Sequence, residues 1–249
     1  MGQRYHVTDG IVIRRHALPS GDVIVTLFGE GGKWRGRAKK GKRVGGNIGK
    51  LSLFHDVTVQ HYRKGEDDLA FVTQVQLNGA LPNLSSPKVY PYAHVLAELL
   101  DKLSVDVHVG EEMYSYLASG LRGLNAHPDA EAVALVYAWK LLQQAGLAPR
   151  VTRCAICGSN DLGNKFDAAA GGLTCERCNI GMTLMPDVVN DLITFHTGTV
   201  RQSLALPLTE RTLHWTLLHR YTAYHVGDLK SLAALRQARP ASNVHAEVR

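Results

Sequence analysis

Short runs rich in apolar residues, broken by turn residues, mark the first eighty or so positions, after which apolar residues recur at intervals of three and four. In the front part these runs are Gly10 to Arg14, Val23 to Phe28, Lys33 to Lys39, Leu53 to Tyr62 and Leu69 to Leu77. Successive side chains of a strand point to opposite faces, so each run reads as a short, half-buried strand. Turn sequences separate them: Leu18-Pro19-Ser20-Gly21-Asp22, Gly29-Glu30-Gly31-Gly32 and Lys64-Gly65-Glu66-Asp67-Asp68. After the Pro-rich joint from Leu81 to Pro87, apolar residues recur at helical spacing: Tyr92, Val95, Leu96, Leu99, Leu100 and Leu103, then Val133, Tyr137, Leu141 and Leu142 behind a Pro128-Asp129 start. Helical patterning resumes from Pro186 to about His196 and from Thr209 to about Val226, and residues 239–249 read as a loose tail.

The predicted class is therefore α+β and multidomain. Five strands in roughly seventy residues suit a small closed barrel, and an oligonucleotide-binding (OB) barrel over residues 1–80 is the leading expectation. A five-stranded SH3-like barrel has the same strand count. Residues 81–249 form a mainly helical domain, with an insertion at about 150–185. The N-terminus has no apolar signal core, and His6 stands where a myristoylation pattern needs Ser or Thr. The longest apolar run, Ala132 to Trp139, is far short of a membrane span. These features predict a cytoplasmic protein that does not engage a membrane.

Charge changes the picture in one place. Lys33, Arg35, Arg37 and Lys39 alternate with Trp34, Gly36 and Ala38, so a strand would set all four cations on one face. No acidic residue occurs from Gly31 through His55, a span that adds Lys40, Lys42, Arg43 and Lys50. The chain has 28 basic and 22 acidic residues; removing those eight cations leaves 20 against 22. A local strip of Lys and Arg attracts polyanions, because each neutralised phosphate releases condensed counterions. The competing reading is a solvated face that guards an edge strand. Single-face alternation, continued into a Gly-rich loop, favours nucleic acid. Trp34 should point into the barrel by the same alternation, and His55, Tyr62 and Phe71 could serve as stacking platforms, although packing is the commoner fate of such rings.

Cys154 and Cys157 form one Cys-x-x-Cys knuckle and Cys175 and Cys178 a second, with a glycine-containing loop between them. Two pairs of thiolates at this spacing suit one tetrahedral zinc ion. Four protein ligands leave no open position, so the expected metal is a structural staple. Two independent redox dithiols are the other reading, and no thioredoxin-like unit surrounds them.

Other motifs fit only in part. Gly36 to Lys42 matches the first part of a P-loop, but Arg43 stands where Ser or Thr must hold magnesium, and the residues after it are unsuited to the required helix. His245-Ala246-Glu247 resembles half of a deaminase signature with no cysteine pair downstream. Glu66, Asp67 and Asp68 raise a metal-dependent nuclease as a reading, against the commoner role of a solvated hairpin turn. The chain reads as a binding protein and not an enzyme.

Read in order, DGIVIRR (9–15), VIVTLFGEGGKWRGRAKKGKR (23–43) and GKLSLFHDVTV (49–59), followed by helices interrupted by the cysteine quartet, the sequence resembles the RecO family of bacterial recombination mediators. In that family the opening reads roughly Glu-Gly-Ile-Val-Leu, and the third strand runs from Gly-Lys into a Lys-Gly-x-Arg loop. Here Asp9-Gly10-Ile11-Val12-Ile13, Gly32-Lys33 and Lys40-Gly41-Lys42-Arg43 take those places. Two departures stand out: a family acid near the first turn is absent at Ser20-Gly21, and Gly45-Gly46-Asn47 replaces the usual Lys-Ser, which suggests a more mobile loop. The resemblance implies an OB barrel, a helical domain with a zinc-binding insertion, and binding of single- and double-stranded DNA. It further implies annealing of complementary strands and work with RecR to help RecA replace single-strand-binding protein. The DNA-contacting residues expected are Lys33, Arg35, Arg37, Lys39, Lys40, Lys42 and Arg43, with Arg14 and Arg15 on a neighbouring strand. An RNA- or ribosome-associated OB protein with a zinc knuckle is the alternative from the residues alone.

Overall fold

The computed structural model describes residues 5–40, 46–63, 65, 69–104 and 110–238. Its front part contains β1 (His6–Ala17), β2 (Val23–Gly29), β3 (Gly32–Ala38), a single turn of helix α1 (Asn47–Lys50), β4 (Asp56–Tyr62) and β5 (Ala70–Gly79). The five strands close into a barrel in the order β1-β2-β3-β5-β4. Neighbouring strands are antiparallel except at one seam, where Gly36–Ala38 of β3 run parallel to Ala70–Val72 of β5. That crossover, strand three beside strand five, separates the OB arrangement from an SH3-like one.

β1 is long enough to serve two neighbours, pairing with β4 through its first half and β2 through its second, with a bulge between Val12 and Arg14. A bulge lets one strand bend around the barrel without losing both ladders. Alternation then divides its apolar residues. Val12 faces the interior with Val23, Val25, Leu27, Leu51, Val57, Val59 and Val75. Ile11 and Ile13 face outward, and with Phe28 and Phe54 they join the core of the helical part. The barrel is thus packed inside and anchored by one outer side.

The helical part holds a 3₁₀ turn at Pro82–Ser85, then α2 (Tyr90–Leu103), α3 (Gly110–Ala126) and α4 (Ala130–Gln144). A small three-stranded sheet, β6 (Lys165–Asp167), β7 (Gly172–Thr174) and β8 (Met182–Thr183), leads into α5 (Pro186–Thr197), α6 (Val200–Leu204), α7 (Arg211–His225) and α8 (Lys230–Ala238). α4 is central: every residue from Ala132 to Leu142 is buried. Asp129 caps it, accepting from the Ala132 amide at 3.0 Å, and Arg211 of α7 grips the same carboxylate. Burial even reaches Lys140, whose ammonium donates to the Gly198 carbonyl at 2.7 Å and whose pKa is lowered by desolvation.

Three helices of this part, among the described residues, escape the sequence pattern. α3 contains Gly110, Gly120 and Gly123, which read as breakers, yet a side chain at Gly120 would press on Leu96 and Tyr137 at about 3.0 Å, so glycine there permits close helix packing. α6 carries a legible Thr199…Gln202 capping box but only five residues. The amides of Lys230 and Ser231, which begin α8, donate to Glu98 of α2, a partner 132 residues away in the chain for Lys230. Among the described residues no helix is long and apolar enough to cross a membrane. The tail at 239–249 lies outside the described residues.

Candidate nucleic-acid interface and metal centre

β3 realises the expected alternation. Lys33, Arg35, Lys39 and Lys40 are exposed and Arg37 half-buried, while Gly36 and Ala38 are buried. Trp34 turns inward and packs against the barrel core, its ring lying over Gly36 and 4.7 Å from the ring of His61. A Cβ at Gly36 would fall 2.2 Å from that ring, so glycine makes room for the indole.

The strip is not bare, which corrects the simplest expectation. Lys33 bonds Asp101 of α2 at 2.7 Å, and Arg14 approaches the same carboxylate at 3.6 Å. Arg37 donates twice to Asp22 Oδ2, at 2.6 and 2.9 Å, while Asp22 Oδ1 accepts from the Lys40 amide at 2.9 Å. That amide first, and then the guanidinium, hold the Asp22 carboxyl below its ordinary range. The turn that lacks an acid at Ser20-Gly21 therefore has one immediately after it. Neither carboxylate was legible as a partner, since Asp22 is 15 residues from Arg37 and Asp101 is 68 from Lys33. Among the described residues Arg15, Arg35, Lys39 and Lys40 have no side-chain ion pair with a carboxylate.

Arg14 and Arg15 do not lie on a strand adjacent to β3, because β2 stands between. Register nevertheless aligns Arg14 with Thr26 and Thr26 with Arg35, and cross-strand partners share a face, so two arginines flank one threonine. Arg15 pairs with Val25, one step out of phase, and lines a cleft of about 700 Å³ between the barrel and α2 and α8. Lys42 and Arg43 lie outside the described residues. Lys50 donates to the Val75 carbonyl at 2.9 Å. Asn47 is anchored as well, since its amide side chain donates to Thr73 O at 3.0 Å and accepts from Val75 N at 3.2 Å. The single turn that begins there is the helix which the sequence did not foresee after the P-loop-like stretch, and it is one turn long. His55 bonds the Lys50 carbonyl at 2.9 Å, and Tyr62 and Phe71 stack on each other outside the barrel. Glu66, Asp67, Asp68 and the His245-Ala246-Glu247 segment lie outside the described residues.

The cysteine segments fold as two copies of one turn. In each, the residue after the second cysteine has a left-handed backbone, Gly158 at φ +74° and Asn179 at φ +50°. Its amide returns to the first cysteine's carbonyl, Gly158 to Cys154 at 3.0 Å and Asn179 to Cys175 at 2.8 Å. Asparagine is among the few side-chain-bearing residues that visit this region readily. The sulfur atoms of Cys154, Cys157, Cys175 and Cys178 all lie within 4.8 Å of one another, Cys157 and Cys175 at 3.6 Å. Bonds of about 2.3 Å to a tetrahedral ion place thiolates roughly 3.8 Å apart, so the quartet fits such an ion.

The electrostatics agree. Backbone amides, that of Cys157 first, lower the Cys154 thiol to about 6, and the Cys178 amide lowers Cys175. Cys178 is pushed up to about 12, chiefly because its thiol is held in a hydrogen bond with Cys175. Loading all four as thiolates thus calls for a cation among them. The surrounding mini-sheet is tied to the helices: Phe166, Leu173 and Leu184 belong to the helical core, and His225 Nε2 of α7 bonds the Ala168 carbonyl at 2.8 Å.

Comparison with known proteins agrees with this architecture. Residues 1–80 match the family model "Recombination protein O N terminal" and residues 84–233 match "Recombination protein O C terminal". The DNA repair protein RecO of Desulfatibacillum aliphaticivorans is 27% identical over 252 residues, covering 93% of this chain and 96% of its own length. RecO of Listeria monocytogenes serotype 4b (strain F2365) is 27% identical over 191 residues, covering 68% of this chain and 67% of its own. The solved asparaginyl-tRNA synthetase of Pyrococcus horikoshii overlaps 41% of this chain and 30% of its own, at 15% identity and a TM-score of 0.27, too slight a likeness to bear on fold or function. With both halves matched by their own family models, the closed barrel in front and the cysteine-bearing helical part behind, the chain belongs to the RecO family of DNA repair proteins.

Proposed function

We propose that this chain is a non-enzymatic DNA-binding protein that holds single- and double-stranded DNA on the outer face of its barrel and promotes annealing of complementary strands. The observation that carries this reading is the row of outward cations on β3 and the two residues that follow it, of which Arg35, Lys39 and Lys40 have no carboxylate partner among the described residues. Lys33 and Arg14 join them by exchanging Asp101 for phosphate, a partly exposed pairing worth on the order of 1 kcal/mol, whereas Arg37 would reach phosphate while still held by the buried Asp22. Lys42 and Arg43 follow these cations in the sequence and are expected to contact phosphate as well, and Arg15, on the cleft side of β1, is a further candidate. Annealing asks little chemistry of such a surface: cations screen the repulsion between two strands, and contacts to phosphate leave base pairing to select the partner.

The cysteine quartet holds zinc as a structural staple for residues of about 150–185, with Cys154, Cys157, Cys175 and Cys178 as its ligands. Family membership supports the wider role, in which the chain acts with RecR to help RecA replace single-strand-binding protein, in the cytoplasm and at the nucleoid. The division of labour falls at about residue 80, the barrel taking DNA and the helical part residues 81–249.

Strand annealing on templates coated with single-strand-binding protein tests the reading. The wild type should accelerate it, and Arg35→Glu with Arg37→Glu should weaken binding alike on all sequences. Intact binding with an unchanged salt dependence would refute the site. A marked preference for RNA in parallel titrations would favour the RNA-binding alternative, and cleavage of labelled DNA with magnesium or manganese the nuclease one.

A further inference from the structure

A row of side chains crosses the parallel seam of the barrel on its outer wall. Register pairs Arg37 of β3 with Phe71 of β5, and Phe71 with Tyr62 of β4, so the three share a face. The Tyr62 and Phe71 rings are stacked, with centroids 5.6 Å apart and planes 23° from parallel. Tyr5, 52% exposed, meets Tyr62 edge-on at 6.0 Å. Lys39 sets its ammonium 5.9 Å from the Phe71 centroid. Neither Tyr62 nor Phe71 belongs to the barrel interior or to the helical core. Large rings contribute most to stability when buried, and here two are kept half-exposed beside cations.

We propose that Tyr62, Phe71 and Tyr5 form a stacking platform for unpaired nucleobases of single-stranded DNA, with Lys39, Lys40 and Arg35 holding the adjoining phosphates. This rests on the DNA-binding reading and adds strand selectivity to it. A duplex keeps its bases stacked on one another and offers the rings only phosphate, whereas a single strand lays its bases on any aromatic surface irrespective of sequence. The cations serve both kinds of DNA; the rings serve one.

The test uses the full chain and fluorescence anisotropy with two oligomers of equal length and charge, oligo(dT) and an abasic strand. The variant is Tyr62→Leu with Phe71→Leu, which keeps apolar side chains on the strands and whose thermal midpoint is checked against wild type. Wild type should bind oligo(dT) about tenfold or more tighter than the abasic strand, as expected for at least one stacked base. The variant should lose that preference while binding the abasic strand and duplex within about twofold of wild type. A variant that keeps the preference, or that loses both oligomers alike, overturns the platform and leaves the DNA-binding reading standing. A wild type that binds neither oligomer nor duplex overturns both.

Discussion

The cysteine knuckles and the basic strand each crowd groups of one charge, and they resolve the crowding in opposite ways. Around the knuckles backbone amides lower the Cys154 thiol to about 6 while Cys178 is pushed up to about 12, so four thiolates at this spacing would need a cation to hold them. On β3 part of the compensation is built in, because Asp22 and Asp101 reach over from other elements. The difference teaches how each site chooses its ligand. On the proposed reading a cluster of thiolates would take one strongly held ion, whereas a cluster half-neutralised by its own carboxylates would exchange them for an extended anion and let it go again.

The largest effect should follow from breaking the first arrangement. Cys154→Ser, or prolonged chelation, should abolish stoichiometric zinc and lower the thermal midpoint by 10 °C or more, on the order expected when a structural zinc site is lost. DNA affinity should fall less than about twofold; a parallel collapse of DNA binding would mean that the two regions are one functional unit. Next comes a contrast within the strip. Arg35→Ala should reduce the salt slope of single-strand binding by about 0.7 and weaken affinity several-fold, and Lys33→Ala should do less, since its ammonium already has Asp101. Equal effects in anisotropy titrations across salt would show that Asp101 is no competitor. Asp101→Asn sharpens the same point from the other side, and should tighten binding about two- to fivefold by releasing Lys33 and Arg14.

The smallest effect concerns acid. The Asp22 and Asp129 carboxyls both sit below their ordinary 3.8, Asp22 chiefly through the Lys40 amide and Asp129 through Arg211. The unfolded chain therefore takes up these protons first as pH falls. The stability they add is whole above about pH 4 and drains as pH drops through the folded values. Melting curves of Asp22→Asn between about pH 5 and 2 should show a shallower decline than wild type.

What could be read from the residues divides along the same line. Knuckle spacing, apolar runs between turn residues and the alternation of the third run act within a few residues, so the clustered cysteines, the outward cations of β3 and the five strands were legible. Asp101 meeting Lys33, Glu98 capping α8 and β2 separating Arg14 from Arg35 depend on segments far apart in the chain. No local pattern announces them. α3 was hidden for another reason: Gly120 and Gly123 permit close packing against α2 and α4 and Gly110 against the β2–β3 turn, and a single chain gives the same letters to a packing glycine and a turn glycine.

Ile11, Ile13, Phe28 and Phe54 fasten one flank of the barrel to the helices, and the turn at Glu30 to Gly32 lies against the start of α3 so closely that a side chain at Gly110 would meet the Glu30 carbonyl at 2.3 Å. One hemisphere is thereby closed to visitors. On the proposed reading a DNA strand would lie along the opposite, outer side of the barrel, where a second strand could join it side-on and the pair could lift away together without threading or unthreading an end.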